Sequence, residues 1–304
     1  MAKRSKKENR IRLAFYVLAV IAVIFSALSR AGFLNKNNNL TLDENSIAVY
    51  FLDVGQGSST VIQDGNSAVL IDSGESEYSN KIIDFLSEKG ISKLEYVIAT
   101  HFHSDHIGGL SNILQIVECD NIYMPLVADE YAPTTKTYYK LLETIDDKDL
   151  NVSFVTDNTA FIFGKTTFNI IAPVEQTKVY NNMSLIIKAV FGKASFLIPG
   201  DAENKEMKSI IKANKNLDLS SEFYLMAHHG SNSALYEDFL SKINMKVAII
   251  SCGKDNSYGH PHKEILEYLN DNSIEYYRTD EVGTITVISD GESYKITTEN
   301  GDNE

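Results

Sequence analysis

The stretch from residue 100 to residue 109 reads THFHSDHIGG and places three histidines and one aspartate within six positions. His101, His103 and Asp105 alternate along the chain, so an extended loop would point all three side chains to one side. His106 follows at the turn into a predicted helix. Imidazole nitrogens and carboxylate oxygens are good ligands for zinc and similar ions, and four such groups in six residues suit two adjacent metal ions.

The histidines of the chain are few and clustered. There are seven, and all of them fall within residues 101–106, 228–229 and 260–262. Three surface histidines near a turn are the simple alternative for the first cluster. A metal site explains the clustering better, and Gly108 and Gly109 would let backbone pass close to such a site without a Cβ atom.

Two more ligand-type motifs follow short apolar segments. Asp201 comes just after the predicted strand Ser195–Ile198, where a carboxylate could bridge two metal ions. His228 and His229 follow a second strand, Glu222–Met226. A single aspartate after a strand is most often a turn former. Because the first histidine cluster also follows a predicted strand, one shared site is the better explanation for all three motifs.

The last two histidines flank a proline. Pro261 favours an extended conformation at His260, which suits a projecting side chain. His262 directly precedes the predicted helix Lys263–Leu269, so the start of that helix is the simpler role for it.

Outward from these motifs, the apolar pattern alternates between short strands and amphipathic helices. The remaining predicted strands are Ile47–Leu52, Ala68–Ile71, Tyr96–Ala99, Val152–Val155, Thr167–Ile171, Ser184–Phe191, Val247–Ile250, Ile274–Tyr277, Thr284–Val287 and Ser293–Ile296. The remaining predicted helices are Lys81–Lys89, Gly108–Val117 (with Ile116 on its inward face), Thr135–Ile145, Glu203–Ala213 and Glu237–Ile243. Strands occur in consecutive groups as well as between helices. This favours an α+β fold, a four-layer αββα sandwich of two mixed sheets, over a doubly wound sheet.

The charge of the 304-residue chain is unevenly distributed. The formal net charge is −13, but residues 1–30 hold seven basic residues and one acidic residue, which leaves a net charge of −19 for residues 31–304. A body this acidic lacks the general attraction for nucleic-acid phosphates that a basic protein has, although bound metal ions can dominate the local field. The two cysteines, Cys119 and Cys252, lie in apolar contexts that predict buried thiols.

The N-terminal segment has the features of a membrane anchor. Leu13–Leu28 carries no charge, and six basic residues precede it. The positive-inside rule then places the N-terminus in the cytoplasm and the bulk of the chain outside the cell membrane, with a single pass. A cleaved signal peptide is the main alternative, although the small residues before Arg30 form a weak cleavage site. We expect an anchor in residues 1–30, a polar linker in residues 31–45 and one folded domain in residues 46–304.

These motifs closely resemble the metallo-β-lactamase superfamily, whose signature is H-x-H-x-D-H. Within it, further motifs resemble the hydrolase domain of ComEC-type competence proteins and, in large part, the secreted phosphorylcholine esterases. These motifs are Phe51-Leu52-Asp53-Val54-Gly55-Gln56-Gly57, Ile71-Asp72-Ser73-Gly74, Asn182-Met183-Ser184-Leu185, Gly200-Asp201-Ala202-Glu203, Ala227-His228-His229-Gly230-Ser231 and Gly259-His260-Pro261-His262. The resemblance covers roughly residues 47–298, nearly the whole body of the chain.

The resemblance implies two divalent metal ions, zinc first and manganese as the alternative. One ion would be held by His101, His103 and Asp201. The other would be held by Asp105, His106, Asp201 and His229. Asp105, His228 and His260 would take part in catalysis. Residues that would brace the ligand loops or contact the substrate are Asp53, Asp72, Asn182, Ser184 and Ser231.

The sequence departs from the wider superfamily at two positions. Many members supply a third histidine to the first metal ion, whereas this chain has no histidine between His106 and His228. The matching stretch is Asn182-Met183-Ser184, as in the competence-type branch. In addition, Ser58 stands where the family usually has an aspartate.

The implied activity is metal-dependent hydrolysis, with phosphodiesters as the leading substrate class. An extracellular DNA nuclease linked to competence and a phosphorylcholine-esterase-like enzyme that cleaves cell-wall phosphodiesters are two forms of this hypothesis. A tethered, non-catalytic module with a degenerate site is the alternative outside enzymes. The expected partners are a phosphodiester substrate and, through the N-terminal helix, the membrane. The sequence identifies no protein partner.

Overall fold

The computed structural model describes residue 42 and residues 44–301. The predicted membrane anchor and nearly all of the predicted linker lie outside these residues. Within the described part of the chain, no helix is both long enough and apolar enough to cross a membrane.

Fifteen strands in the described residues form two sheets. The strands are β1 (Ile47–Phe51), β2 (Thr60–Asp64), β3 (Ser67–Ile71), β4 (Lys93–Ile98), β5 (Glu118–Pro125), β6 (Asn151–Val155), β7 (Thr159–Phe163), β8 (Thr166–Ile171), β9 (Ile186–Phe191), β10 (Ala194–Ile198), β11 (Phe223–Leu225), β12 (Val247–Ile250), β13 (Glu275–Arg278), β14 (Ile285–Ser289) and β15 (Tyr294–Thr298). The first sheet has the order β15-β14-β1-β2-β3-β4-β5-β6, and the second has the order β13-β12-β11-β10-β9-β8-β7.

Helices cover the outer face of each sheet. The α-helices are α1 (Ser79–Glu88), α2 (Ser104–Ile107), α3 (Leu110–Ile116), α4 (Lys136–Asp147), α5 (Asn204–Ala213), α6 (Glu237–Ile243), α7 (Lys263–Asp271) and α8 (Thr279–Val282). Apolar residues of α1, α3 and α4 pack on the first sheet, and those of α5, α6 and α7 pack on the second. A third apolar cluster lies between the sheets. The predicted four-layer αββα sandwich is therefore confirmed.

Burial on both faces explains the composition of the central strands. All five residues of β1, Ile-Ala-Val-Tyr-Phe, are buried, because alternate side chains face the other sheet and the helices. The inter-sheet side chains of this strand, such as Val49 and Phe51, meet Phe196 and Phe223 from the second sheet within one cluster. Cys119 and Cys252 are free and buried, as the sequence predicted.

Parallel pairing brings several strand ends to one edge of the sandwich. In the first sheet β3 pairs with β4 in parallel, and in the second sheet β10, β11 and β12 are parallel neighbours. Neighbouring parallel strands end on the same side of their sheet. The segments that follow β3, β4, β10 and β11 carry all of the predicted metal ligands and their nearest supports.

The predicted helix Gly108–Val117 is observed as α3, which begins at Leu110, and a separate short helix, α2, precedes it. The Asp105 carbonyl accepts a hydrogen bond from Ser58 N at 3.1 Å, and Gly109 N donates to Gly74 O at 3.2 Å. These contacts with neighbouring loops replace the helical bond between Asp105 and Gly109. Ile116, which we expected to face inward, ends α3 with 67% of its surface exposed.

Candidate dinuclear metal centre

The histidine signature lies between β4 and α3. His101 and His106 are fully buried, and their ring centroids are 4.2 Å apart. His103 precedes α2, and its Nδ1 lies 3.1 Å from His101 Nε2. Asp105 belongs to the first turn of α2. The expected extended loop is therefore wrong at Asp105, although helix formation still places this residue beside His106.

Asp72 orients two of the histidines. It follows β3 in a left-handed conformation, with φ of 58°. Its Oδ2 accepts hydrogen bonds from His106 Nδ1 and from Thr100 Oγ1, each at 2.7 Å, and its Oδ1 accepts one from Thr100 N at 2.8 Å. Thr100 Oγ1 in turn lies 3.1 Å from His101 Nδ1. Each histidine is thus held by Nδ1, which leaves Nε2 free to bind a metal ion.

Asp201 lies at the centre of the site. It follows β10 through Gly200, and its backbone N–H donates to Ser184 Oγ at 3.1 Å. Its Oδ1 is 3.0 Å from His106 Nε2 and 3.6 Å from His229 Nε2. Its Oδ2 is 3.7 Å from His101 Nε2 and 3.8 Å from His228 Nε2. The two carboxylate oxygens therefore face different histidines.

Their position directly after a predicted strand favoured an extended conformation for His228 and His229, and this expectation is wrong. Strand β11 ends at Leu225, and the pair forms a tight turn in which both residues are left-handed, with φ of 51° and 56°. The separation of the two rings comes from this turn rather than from strand alternation. His229 Nδ1 donates to Ser251 O at 2.9 Å, and its Nε2 lies 3.2 Å from Asp105 Oδ2.

These side chains form two ligand groups that share one carboxylate. Ligand atoms of His101, His103 and Asp201 lie within 4.8 Å of one another, and the same holds for Asp105, His106, Asp201 and His229. All six predicted ligands are thus brought together, in the predicted groups. His106 Nε2 and Asp201 Oδ1 are buried and make no hydrogen bond within the described residues, although they lie 3.0 Å apart. Buried polar atoms without partners are costly, so this donor set fits divalent metal ions.

The protonation states differ between the two groups. Burial lowers the pKa of His101 well below its ordinary value and also lowers the pKa of His103, which keeps both rings in the neutral form that binds metals. Burial also opposes charge on Asp201, but His106 and His229 outweigh it and hold the Asp201 pKa well below its ordinary value. Similarly, carboxylates led by Asp201 outweigh burial at His106 and raise its pKa. In the second group the negative charge of the carboxylates is therefore balanced by the histidines beside them. Protons compete with metal ions for the ring nitrogens of these histidines.

A cavity of about 460 Å³ opens above the ligands. Among the described residues that line it there is no lysine or arginine. The lining combines metal-ligand candidates with neutral and aromatic side chains: Gln56, Phe102, His103, Ser104, Asp105, Thr135, Thr137, Tyr180, Asn181, Asp201, His228, His229, Tyr258 and His260. The site can therefore bind a substrate whose charge is met by metal ions and histidines.

Two of the predicted supporting residues lie farther from the ligands than expected. Asp53 accepts a hydrogen bond from Gly55 N at 3.1 Å and pairs with Lys81 at 3.5 Å, so it supports the turn before Gln56 rather than a ligand loop. Asn182 faces away from the cavity, where its Oδ1 accepts from Glu206 N at 3.3 Å. The residue before it, Asn181, lines the cavity instead.

Of Ser231 and the last two histidines, only His260 is among the residues that line the cavity. Ser231 Oγ lies 3.0 Å from Ser233 Oγ, which lies 3.0 Å from His228 Nδ1. His260 lines the cavity, with its Nδ1 3.3 Å from Gln56 Nε2. Burial lowers the His260 pKa to about 4, so this ring is neutral at neutral pH. His262 directly precedes α7, and its Nδ1 accepts from Asn232 N at 3.0 Å, as its position before a predicted helix suggested.

Sequence reasoning missed Gln56, Tyr180, Asn181 and Glu203. Glu203 is the most notable, because it contacts three side chains that support the site. Its position two residues after Asp201 was the available signal. The others lie on loops, where an amide or a tyrosine has no distinctive spacing.

Comparisons with known proteins agree with this arrangement. A family model described as the metallo-beta-lactamase superfamily matches residues 52–254. ComE operon protein 3 of Bacillus subtilis is 28% identical over 256 residues, which is 78% of this chain and 32% of that protein. Recombination protein 2 of Haemophilus influenzae is 31% identical over 225 residues, which is 72% of this chain and 26% of that protein. The chain spans about a third or less of the length of these relatives.

Solved structures share the fold at low sequence identity. The metallo-beta-lactamase fold protein YhfI of Bacillus subtilis aligns with a TM-score of 0.53 and 15% identity, and covers 80% of this chain and 100% of its own. CmlA of Streptomyces venezuelae, a diiron beta-hydroxylase, aligns with a TM-score of 0.53 and 11% identity, and covers 79% of this chain and 53% of its own. Similarity at this level supports the fold alone.

Proposed function

The chain belongs to the metallo-β-lactamase superfamily and resembles the hydrolase part of ComEC-type competence proteins, and on this basis we propose that it is a membrane-anchored, extracellular, metal-dependent phosphodiesterase. The observation that carries the proposal is the Asp201 carboxylate, which is shared by two groups of His and Asp side chains that could each hold a metal ion. Two metal ions held in this way are typical of enzymes that hydrolyse phosphoryl groups. Zinc is the proposed metal, with manganese as the alternative.

The proposed mechanism assigns a role to each side chain around the cavity. Two bound divalent ions would promote ionisation of the attacking water and stabilise charge on a phosphoryl oxygen. Asp105, whose side chain is 26% exposed, accepts a hydrogen bond from the attacking water and orients it. A bond forms between the water oxygen and phosphorus, and the bond from phosphorus to the leaving oxygen breaks.

The remaining roles concern the leaving group and the phosphoryl oxygens. His228 faces the cavity with Nε2, from which a proton passes to the leaving oxygen. His260, held by Gln56, contacts a phosphoryl oxygen as a neutral ring. The proton lost by the attacking water goes to solvent through Asp105.

Nucleic acid and single-phosphate substrates are the two candidate classes. The competence relatives favour nucleic acid, which would make the protein a nuclease. The second candidate, a head-group or cell-wall phosphodiester, is favoured by the lack of lysine and arginine among the described residues that line the cavity. Nucleic acid carries a negative charge on every nucleotide, and the described residues of this lining offer no lysine or arginine to a second phosphate.

The proposed function can be tested with full-length protein purified in detergent and loaded with zinc or manganese. Three substrates separate the candidates: single-stranded DNA, bis-p-nitrophenyl phosphate and p-nitrophenyl phosphorylcholine. We expect metal-dependent release of p-nitrophenol from bis-p-nitrophenyl phosphate, which Asp105→Ala abolishes. Asp120→Ala is the matched control, because Asp120 only forms an exposed ion pair with Lys93.

Cleavage of DNA would support the nuclease, and cleavage of the phosphorylcholine ester would support the second candidate. A folded protein that takes up no metal, or that cleaves none of the three substrates, would contradict the enzyme proposal. The tethered, non-catalytic module would then be the better description.

A further inference from the structure

Glu203 lies where the second sheet meets the cavity and has no role in the mechanism above. It directly precedes α5 and follows Asp201 by two residues. Its Oε2 accepts a hydrogen bond from Asn182 Nδ2 at 2.9 Å, and its Oε1 accepts one from Asn181 Nδ2 at 3.3 Å. The same Oε1 lies 3.5 Å from Nδ1 of His228.

The shortest contacts of the His228 ring are at Nδ1, and Asn181 Nδ2 lies farther away, 3.4 Å from Nε2 and 3.5 Å from Nδ1. Ser233 Oγ lies 3.0 Å from its Nδ1, on the side where Glu203 also approaches. The two nitrogens of an imidazole ring diverge, so a ring anchored at Nδ1 directs Nε2 in a fixed direction. In this structure Nε2 is directed toward Oδ2 of Asp201, at 3.8 Å. That oxygen also faces His101, so His228 lies beside the ligand group that has no third histidine.

The backbone alone does not fix the ring. Both residues of the His228-His229 turn are left-handed, a conformation that is unfavourable for residues other than glycine. The His228 side chain keeps 22% of its surface exposed, so no tight packing confines it. The shortest restraint on where Nε2 points is therefore the contact at Nδ1 with Ser233, and Asn181 adds a longer contact at Nε2 itself.

We propose that Glu203 is a positioning residue, which holds the Nδ1 side of the His228 ring together with Ser233 so that Nε2 faces the substrate on the His101 side of Asp201. The role of Nε2 rests on the proposed function, whereas the orientation of the ring does not. Glu203 contacts neither substrate nor ligands and acts only through His228.

A double-mutant cycle tests this proposal. Glu203→Ala should lower kcat about 10- to 100-fold, the usual effect of removing a partner that orients an active-site group, with the metal content unchanged. In a His228→Ala background, Glu203→Ala should have no further effect, because the side chain through which it acts is already gone. Lys205→Ala is the matched control. It removes an exposed ion pair with Glu175 at the start of α5 but no contact of Glu203 or His228, so its effect should add to that of His228→Ala.

A spectroscopic measurement makes the test independent of turnover. With 15N-labelled histidine, the ring signals of His228 can be identified by their absence in His228→Ala. They should shift in Glu203→Ala and remain in place in Lys205→Ala, while the His229 signals stay unchanged.

Effects of Glu203→Ala and His228→Ala that add, or His228 signals that do not shift in Glu203→Ala, would overturn the proposal. Loss of metal in Glu203→Ala would also overturn it, since the residue would then support the ligands. If the wild-type protein cleaves no phosphodiester, the proposed function fails, but the ring signals still decide whether Glu203 positions His228.

Discussion

Each of the two carboxylate oxygens of Asp201 faces a different pair of histidines. Oδ1 is near His106 and His229, and Oδ2 is near His101 and His228. Of the adjacent pair 228–229, only His229 belongs to a group whose ligand atoms lie within 4.8 Å of one another. The two neighbours should therefore respond differently to substitution.

His229→Ala should lower the metal content by close to one equivalent, because it removes one of the four ligands of the second group. His228→Ala should keep both ions and lose about a hundredfold to a thousandfold in kcat, the typical effect of removing one group that stabilises a transition state. Elemental analysis of both variants, with kcat on the best substrate found, checks this prediction. Metal loss in His228→Ala with full retention in His229→Ala would show that the two roles are reversed.

Glu206 is a second residue with an unusual environment. It is buried in the first turn of α5, and neither carboxylate oxygen makes a hydrogen bond within the described part of the chain. Burial, with a contribution from Glu203, raises the Glu206 pKa well above its ordinary value. The folded protein therefore holds a proton here that the unfolded chain releases as the pH rises through about 4.3.

The raised pKa of Glu206 in the folded protein makes the free energy of unfolding depend on pH in a defined direction. The contribution of Glu206 is fully present below its unfolded pKa and is lost as the pH rises toward its folded pKa. Glu206→Gln, which mimics the protonated form, should avoid this loss. We expect its melting temperature to exceed that of the wild type by an amount that grows between pH 5 and pH 8. Glu118→Gln, at an exposed position, should show no such trend. A difference in melting temperature between Glu206→Gln and the wild type that stays constant from pH 5 to pH 8 would contradict the prediction.

The turn between β10 and Asp201 depends on close packing. Gly200 has φ of 56°, and a Cβ atom at this position would lie 2.7 Å from Cβ and Oγ1 of Thr100. Thr100 is the residue that joins Asp72 to His101. Gly65, in the β2–β3 turn, has φ of 62° but open space around it.

Gly65→Ala should therefore cost only the left-handed penalty of about 1–2 kcal/mol. Gly200→Ala should cost more, and it should also weaken metal binding because Thr100 must move. Denaturant unfolding and metal titration of both variants measure the two effects. Equal losses of stability, with metal affinity intact in both variants, would show that the close contact between Gly200 and Thr100 constrains neither folding nor metal binding.

The elements that carry the site were easier to predict than those that frame it. Strands β4 and β10 are short apolar runs, and the ligand motifs follow them directly. Strand β5 was missed because it begins with Glu-Cys-Asp-Asn, which does not read as a buried strand. Strand β7 was missed because it is an edge strand whose Ile162 is 70% exposed, so its pattern shows no buried face.

The site itself divides in the same way. The six ligand candidates were predictable because the chain has only seven histidines, which fall in three clusters, and because the ligand motifs follow short apolar strands. The cavity wall was not, because Tyr180, Asn181 and Gln56 are common loop residues whose position depends on tertiary packing. The left-handed turn at His228 and His229 was also hidden, since nothing in the residue types distinguishes it from a strand end.

For the protein as a whole, the open question is its location. Six basic residues precede the apolar segment Leu13–Leu28, namely Lys3, Arg4, Lys6, Lys7, Arg10 and Arg12. We expect residues 1–12 to lie in the cytoplasm and residues 31–304 to lie outside. Protease added to intact spheroplasts should digest the hydrolase domain while a cytoplasmic marker stays intact. Full protection of the domain before lysis, with digestion after it, would reverse the proposed orientation.

The left-handed turn at residues 228 and 229 has a consequence for protein engineering. Such backbone conformations cost about 1–2 kcal/mol for most side chains and little for glycine or asparagine. A directed-evolution campaign that selects for heat resistance alone would therefore be drawn toward Gly or Asn at both positions. The selected variants would be more stable proteins that had lost a proposed metal ligand and its neighbour. Selection for thermostability in this fold needs a simultaneous screen for bound metal. At these two positions the residues that favour stability differ from those that the proposed activity requires.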